Sequence, residues 1–222
     1  MSTILEILDA REPDESFHNL ASIIVAHTFC RECGHVHNDV ETRRSIPCPI
    51  CGTICDYREL FFGVDEHGLF EMILESYLSK SSQRICVLLF CMMMEIHLHT
   101  FLINRCRRLD IDWPIIDSLL DGSFRLEDRL KLFRKLCGCA PQEALAGTEV
   151  GNVFLEWPNL NKKRNRIVHG ARNVARDFTY TVKEEDIRMA VSLATNSFSA
   201  FAFLQNKYCS LGAPPLPSQG SA

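Results

Sequence analysis

Four cysteines stand in two pairs, Cys30-x-x-Cys33 and Cys48-x-x-Cys51, with fourteen residues between the pairs. Two thiolates spaced this way converge from one tight turn, and four together make the tetrahedral soft set that zinc prefers. Gly34 and Gly52 follow the second cysteine of each pair, where such a turn calls for a positive φ. A second constellation lies far along the chain. The stretch Asn159 to Arg176, NLNKKRNRIVHGARNVAR, holds six basic side chains and no acidic one in a chain of net charge −4. Within it, Arg164-Asn165 is followed after three residues by His169-Gly170. A histidine near its ordinary pKa can pass a proton, and a guanidinium can grip phosphate oxygens. Residues of these types suit phosphoryl chemistry that needs no metal.

The cysteine constellation resembles the zinc-ribbon family, in which two such knuckles tip a small β-sheet. The resemblance covers roughly residues 26–62. With cysteine at all four positions, Cys30, Cys33, Cys48 and Cys51 are expected to form a closed, structural zinc site. His35, His37 and Cys55 are alternatives for one of these ligands. No βαβ pattern surrounds the pairs, which argues against a redox Cys-x-x-Cys. Arg43 and Arg44, between the knuckles, suit either nucleic acid or solvent.

In the basic stretch, Asn165 and His169 are four apart and share one helical face. Arg164 lies about 100° from Asn165 around the axis, so its side chain must reach round or serve a site completed by another subunit. Lys162, Lys163 and Arg166 extend the positive field as phosphate-binding groups, and Arg172 and Arg176 follow it. Residues 68–208 resemble a HEPN domain, an all-α bundle carrying Arg, four to six further residues, then His, often with Asn directly after the Arg. RNRIVH has that form. The resemblance implies a homodimer in which two motifs face one cleft, and a metal-independent endoribonuclease with Arg164, Asn165 and His169 as its catalytic residues. RNA is the implied substrate, in a defence, toxin or processing context. Other members of that family only bind nucleotides or proteins. A non-catalytic adaptor is therefore the alternative, and a helical dimerisation module a third. A basic last helical turn is also what the helix dipole alone favours.

The elements that must hold these residues follow from periodicity. The expected fold is mainly α, a four- to five-helix bundle behind a small N-terminal β zinc ribbon. The expected division is an N-terminal segment over 1–25, the ribbon over 26–62, the bundle over 68–208 and a disordered Pro/Gly/Ser-rich tail over 209–222. A short helix is expected at Ser2–Ala10. From Gly68, Leu69, Met72, Ile73 and Tyr77 recur at helical steps. The stretch from Ser82 to Leu109 is apolar nearly all round, as a central buried or subunit-shared helix would be. Within it, Glu95 is either the partner of a cation from the motif or a solvent or interface residue, and His97 and His99 read as core or interface. Trp113-Pro114 breaks the pattern. Ser123 is the expected N-cap and Gly138 the expected stop of the next helix, another spans about Phe154 to Val168, and Thr181-x-x-Glu184 opens the last as a capping box. No internal repeat is evident.

Composition limits the rest. Hydrophobic residues make up 46% and charged residues 23%, which suits a globular chain. A mildly acidic balance argues against a basic coat over the whole surface. Eleven cysteines, odd in number and scattered, suggest no disulfide framework and fit a reducing compartment. The N-terminus lacks the pattern of a signal peptide, and the most apolar run, Ile85 to Met94, stops at Glu95, short of a bilayer span. A cytoplasmic protein without membrane partners is expected, its ribbon separable from its bundle.

Overall fold

The computed structural model describes residues 5–6, 27–37, 46–55, 61–79, 83–123, 125–169 and 182–211, with side chains except at Val64 and His169. Most of the expected Ser2–Ala10 helix, and Arg43, Arg44, Gly170, Arg172, Arg176, Thr181 and 212–222, lie outside them. The described chain is mainly helical behind a small cysteine-bearing β region. Among the described residues, the helical pair Leu5–Glu6 is followed by four two-residue strands: β1 (Thr28–Phe29), β2 (Val36–His37), β3 (Ile46–Pro47) and β4 (Ile54–Cys55). They pair as two antiparallel hairpins, β1 with β2 and β3 with β4. Seven helices follow among the described residues: α1 (Val64–Leu78), α2 (Ile85–Arg108), α3 (Trp113–Asp121), α4 (Leu126–Cys137), α5 (Pro141–Ala144), α6 (Val153–His169) and α7 (Glu184–Tyr208).

The all-round apolarity of α2 has a direct outcome: it lies at the centre, packed against α1, α6 and α7. The helix continues through Glu95 to Arg108. By length and composition both α2 and α7 could cross a bilayer, yet most of each apolar window is buried inside the bundle. Core helices reach the same hydropathy this way.

Several local expectations are corrected. In α1 the buried face is Phe70, Ile73, Leu74 and Tyr77, whereas Met72 is exposed; both stripes are apolar and share Ile73 and Tyr77, and packing on α2 and α7 selects the flank that carries Phe70 and Leu74. Trp113-Pro114 opens α3 rather than breaking a helix, because a proline in the first turn forfeits an N–H that had no partner there. Ser123 does not cap α4. Its hydroxyl donates back to the Leu119 carbonyl at 2.8 Å, and Arg125 is the N-cap. Gly138 does end α4, with φ 83°. The N-cap of α7 is Lys183, whose N–H donates to the Asp186 carboxylate. Pro158 sits inside α6, so the helix forms with one intrahelical donor missing.

Arg105 joins three helix ends. It is buried, and its guanidinium donates to the carbonyls of Leu136 at the end of α4 and Tyr208 at the end of α7. Carbonyls of a last helical turn lack intrahelical donors, and a buried cation there satisfies them while meeting the negative end of both dipoles.

The β region is docked on this bundle. The Val36 N–H donates to Asn206 Oδ1 at 2.6 Å and Asn206 Nδ2 donates to the Val36 carbonyl at 2.8 Å, so one side-chain amide on α7 pairs with β2 as a neighbouring strand would. The Leu211 N–H donates to the Cys33 carbonyl. Phe61 stacks on Phe29, and Phe62 enters the core against Phe198 and His97.

Candidate metal centre and basic helix end

Each hairpin folds its Cys-x-x-Cys into the same turn. The Cys30 N–H donates to the His35 carbonyl and the Gly34 N–H to the Cys30 carbonyl; Cys48 bonds Thr53 and Gly52 bonds Cys48 identically. Gly34 and Gly52 have φ 74° and 76°, the left-handed conformation these turns require. The turns bring the Sγ atoms of Cys30, Cys33, Cys48 and Cys51 within 4.8 Å of one another. Cys30 and Cys51 are 3.6 Å apart, and Cys33 and Cys48 3.4 Å. Tetrahedral zinc with bonds of about 2.3 Å needs sulfur edges of about 3.8 Å, so the four donors fit such an ion with small adjustment. These four could hold a metal such as zinc.

The thiols differ in setting. Cys51 is exposed, and hydrogen bonds from Thr53 bring it down to about 6. Burial drives Cys33 well up, and drives Cys55 up to about 12, so these ionise only where a metal replaces the proton. His35 lies beside the knuckle, its ring 4.8 Å from that of His37. His37 and Cys55, alternatives in the sequence, lie side by side just behind the four, Nε2 to Sγ 3.6 Å. The sequence reading overlooked their relation. Cys-x-x-Cys-Gly-x-x-His and Cys-x-x-Cys-Gly-x-x-Cys are one pattern, the second copy shifted by 18 residues.

The second constellation is carried by α6. Its core stripe runs Val153, Trp157, Leu160, all buried, and Arg164 is the next position on that stripe. Its side chain therefore turns toward α2, where Nη2 lies 3.6 Å from Glu95 Oε1, both groups roughly a third exposed or less. Arg164 Nη1 also donates to Asn165 Oδ1 at 2.9 Å. Glu95 is thus the partner of a cation from the motif. Its own carbonyl accepts from Arg129, and one turn on, His99 is half-buried with Nδ1 lacking a hydrogen-bond partner among the described residues. Burial, then Arg129, lowers the His99 pKa.

Lys162, Lys163 and Arg166 look the other way. They line a cleft of about 300 Å³ between α6 and the start of α7, with Glu156, Asn159 and Asp186 on its walls. Lys163 is ion-paired with Asp186. The basic stretch therefore splits between two faces, Arg164 toward α2 and the three flanking cations toward α7, with Asn165 exposed beside Arg164. His169 is the last residue of α6, and its side chain lies outside the described residues. Comparison with known families, curated proteins and solved structures finds nothing that matches this chain.

Proposed function

We propose that this chain is a dimeric, metal-independent endoribonuclease of the HEPN type, with Arg164, Asn165 and His169 as its catalytic residues and a zinc held structurally by the ribbon. One observation carries the reading. The Arg164 guanidinium is held between Glu95 and Asn165 rather than left free in solvent, as a transition-state clamp must be. In the proposed step the ribose 2′-oxygen attacks the adjacent phosphorus as His169 takes its proton. Arg164 stabilises the charge on the non-bridging oxygens. The phosphorus–5′-oxygen bond then breaks, leaving a 2′,3′-cyclic phosphate and a 5′-hydroxyl that takes up a proton. Lys162, Lys163 and Arg166 would hold the RNA backbone further along.

Exposed apolar residues support the dimer. Met92 precedes Glu95 by one turn on α2, and Ile167 and Val168 follow Arg164 by one turn on α6, at 45%, 38% and 53% exposure. An apolar rim around the ion pair is what two facing motifs would cover. The eleven free thiols support a cytoplasmic setting.

The test is incubation of mixed single-stranded RNA in magnesium-free buffer, without chelator so that the ribbon keeps its ion. The wild type should release fragments with 2′,3′-cyclic ends, while Arg164→Ala and His169→Ala should each cut at least 100-fold more slowly. Equal rates for all three proteins would remove the assignment. A second reading, an adaptor that binds nucleic acid or protein without chemistry, is favoured by a different observation: carboxylates already neutralise Arg164 and Lys163. Retained wild-type RNA binding without cleavage, weakened in Arg164→Ala, would select it.

A further inference from the structure

We propose that the ribbon has a second site for a thiophilic divalent cation, formed by His37, Cys48 and Cys55, with the Cys48 thiolate bridging it to an ion held by the four knuckle cysteines. The inference rests on the metal reading of those four cysteines. The two hairpins repeat one pattern, and each places a ligand-type residue at its third position, His37 on β2 and Cys55 on β4. In register these residues lie opposite Thr28 and Ile46, equivalent places in the two hairpins. The fold then sets the two third positions against each other. His37 Nε2 and Cys55 Sγ are 3.6 Å apart, and both lie within 4.8 Å of Cys48 Sγ. A tetrahedral zinc with bonds of about 2.0 Å to nitrogen and 2.3 Å to sulfur needs a nitrogen–sulfur edge of about 3.5 Å.

Burial and charge point the same way. His37, Cys48 and Cys55 are at most 7% exposed, and the buried interior of the ribbon, Cys30, Cys33, Cys48 and Cys55, is made of sulfur. The Cys55 thiol makes only a long contact, 3.6 Å, to the Thr53 carbonyl, and its other neighbours are His37 and the thiols of the knuckles. One zinc among four thiolates carries excess negative charge. A second cation that adds one thiolate and one neutral imidazole lowers it. Three protein donors leave the fourth position to water.

The experiment uses the full chain loaded with zinc and freed of excess, with metal per chain measured by mass spectrometry. The expected result is two equivalents in the wild type and one in Cys55→Ser and in His37→Gln, with unchanged helical circular dichroism. Loading with cadmium-113 should give two resonances coupled through the shared sulfur, a result that needs no variant. One equivalent and one resonance would overturn the second site and leave the four-cysteine centre standing. No bound metal would overturn both. Two equivalents in all three proteins would place the second ion elsewhere and also overturn the proposal.

Discussion

His97 on α2 is enclosed by Phe62, Phe198 and Phe201, ring centroids 4.8 to 5.1 Å away, and neither ring nitrogen has a hydrogen-bond partner among the described residues. Burial, with the charges of His67 and His27 opposing protonation as well, holds it down to about 3, against an ordinary 6.5. Between those values the unfolded chain binds a proton that the folded chain refuses, so stability rises with pH across this window and is lost as pH falls. At pH 5 the loss from this residue is about 2 kcal/mol. The drop in unfolding free energy between pH 7 and pH 5, read from urea titrations, should be smaller by about that amount in His97→Leu. Parallel pH profiles would mean that His97 is not buried in its neutral form. The sequence placed this histidine in a core or interface, because apolar neighbours surround it in sequence as well as in space. It could not separate Arg164 from Lys163, adjacent residues whose partners, Glu95 and Asp186, come from different helices.

Among the elements, the two knuckles share their Cys-x-x-Cys-Gly spacing and backbone conformation but not their surroundings. A side chain at Gly52 would meet nothing within 4 Å, whereas one at Gly34 would stand 3.1 Å from the Cys209 carbonyl at the end of α7. Gly52→Ala should therefore cost only the left-handed backbone, about 1–2 kcal/mol. Gly34→Ala should cost at least about 1 kcal/mol more, because main chain must give way. Chemical denaturation of the two variants decides this, and equal losses would mean that the ribbon does not press on α7. The turns were legible from spacing and glycine because they are made of consecutive residues. Helix positions were legible from periodicity, as α6 and the stop at Gly138 attest. The face of α1 was not, since Leu69, Phe70, Met72, Ile73 and Leu74 are all apolar and only the tertiary packing decides which of them are covered.

At the scale of the whole molecule, ribbon and bundle share a boundary rather than a linker. The amide pair of Asn206 with Val36, the bond from Leu211 to Cys33 and the packing of Phe62 into the core all cross it. The expectation of a separable ribbon took clustered cysteines as a self-contained miniature; contacts between residues 170 apart carry no local signal. Stripping the ion should therefore weaken the helices too. In a thermal scan followed by helical circular dichroism, chelator should lower the midpoint by about 5 °C or more, at roughly 2–4 °C per kcal/mol for a chain of this size. An unchanged midpoint would show that the two parts are energetically independent.

The clasp of Asn206 on Val36 also sets an order of events during synthesis. Translation advances at roughly 5–20 residues per second, so the ribbon's edge waits on the order of ten to thirty seconds for its partner amide. For most of that interval both knuckles are complete in sequence while the helix that will cover Gly34 is still unfinished. The four thiols that could hold a metal are thus all present in this early window, and α7, later in the chain, is what closes over Gly34.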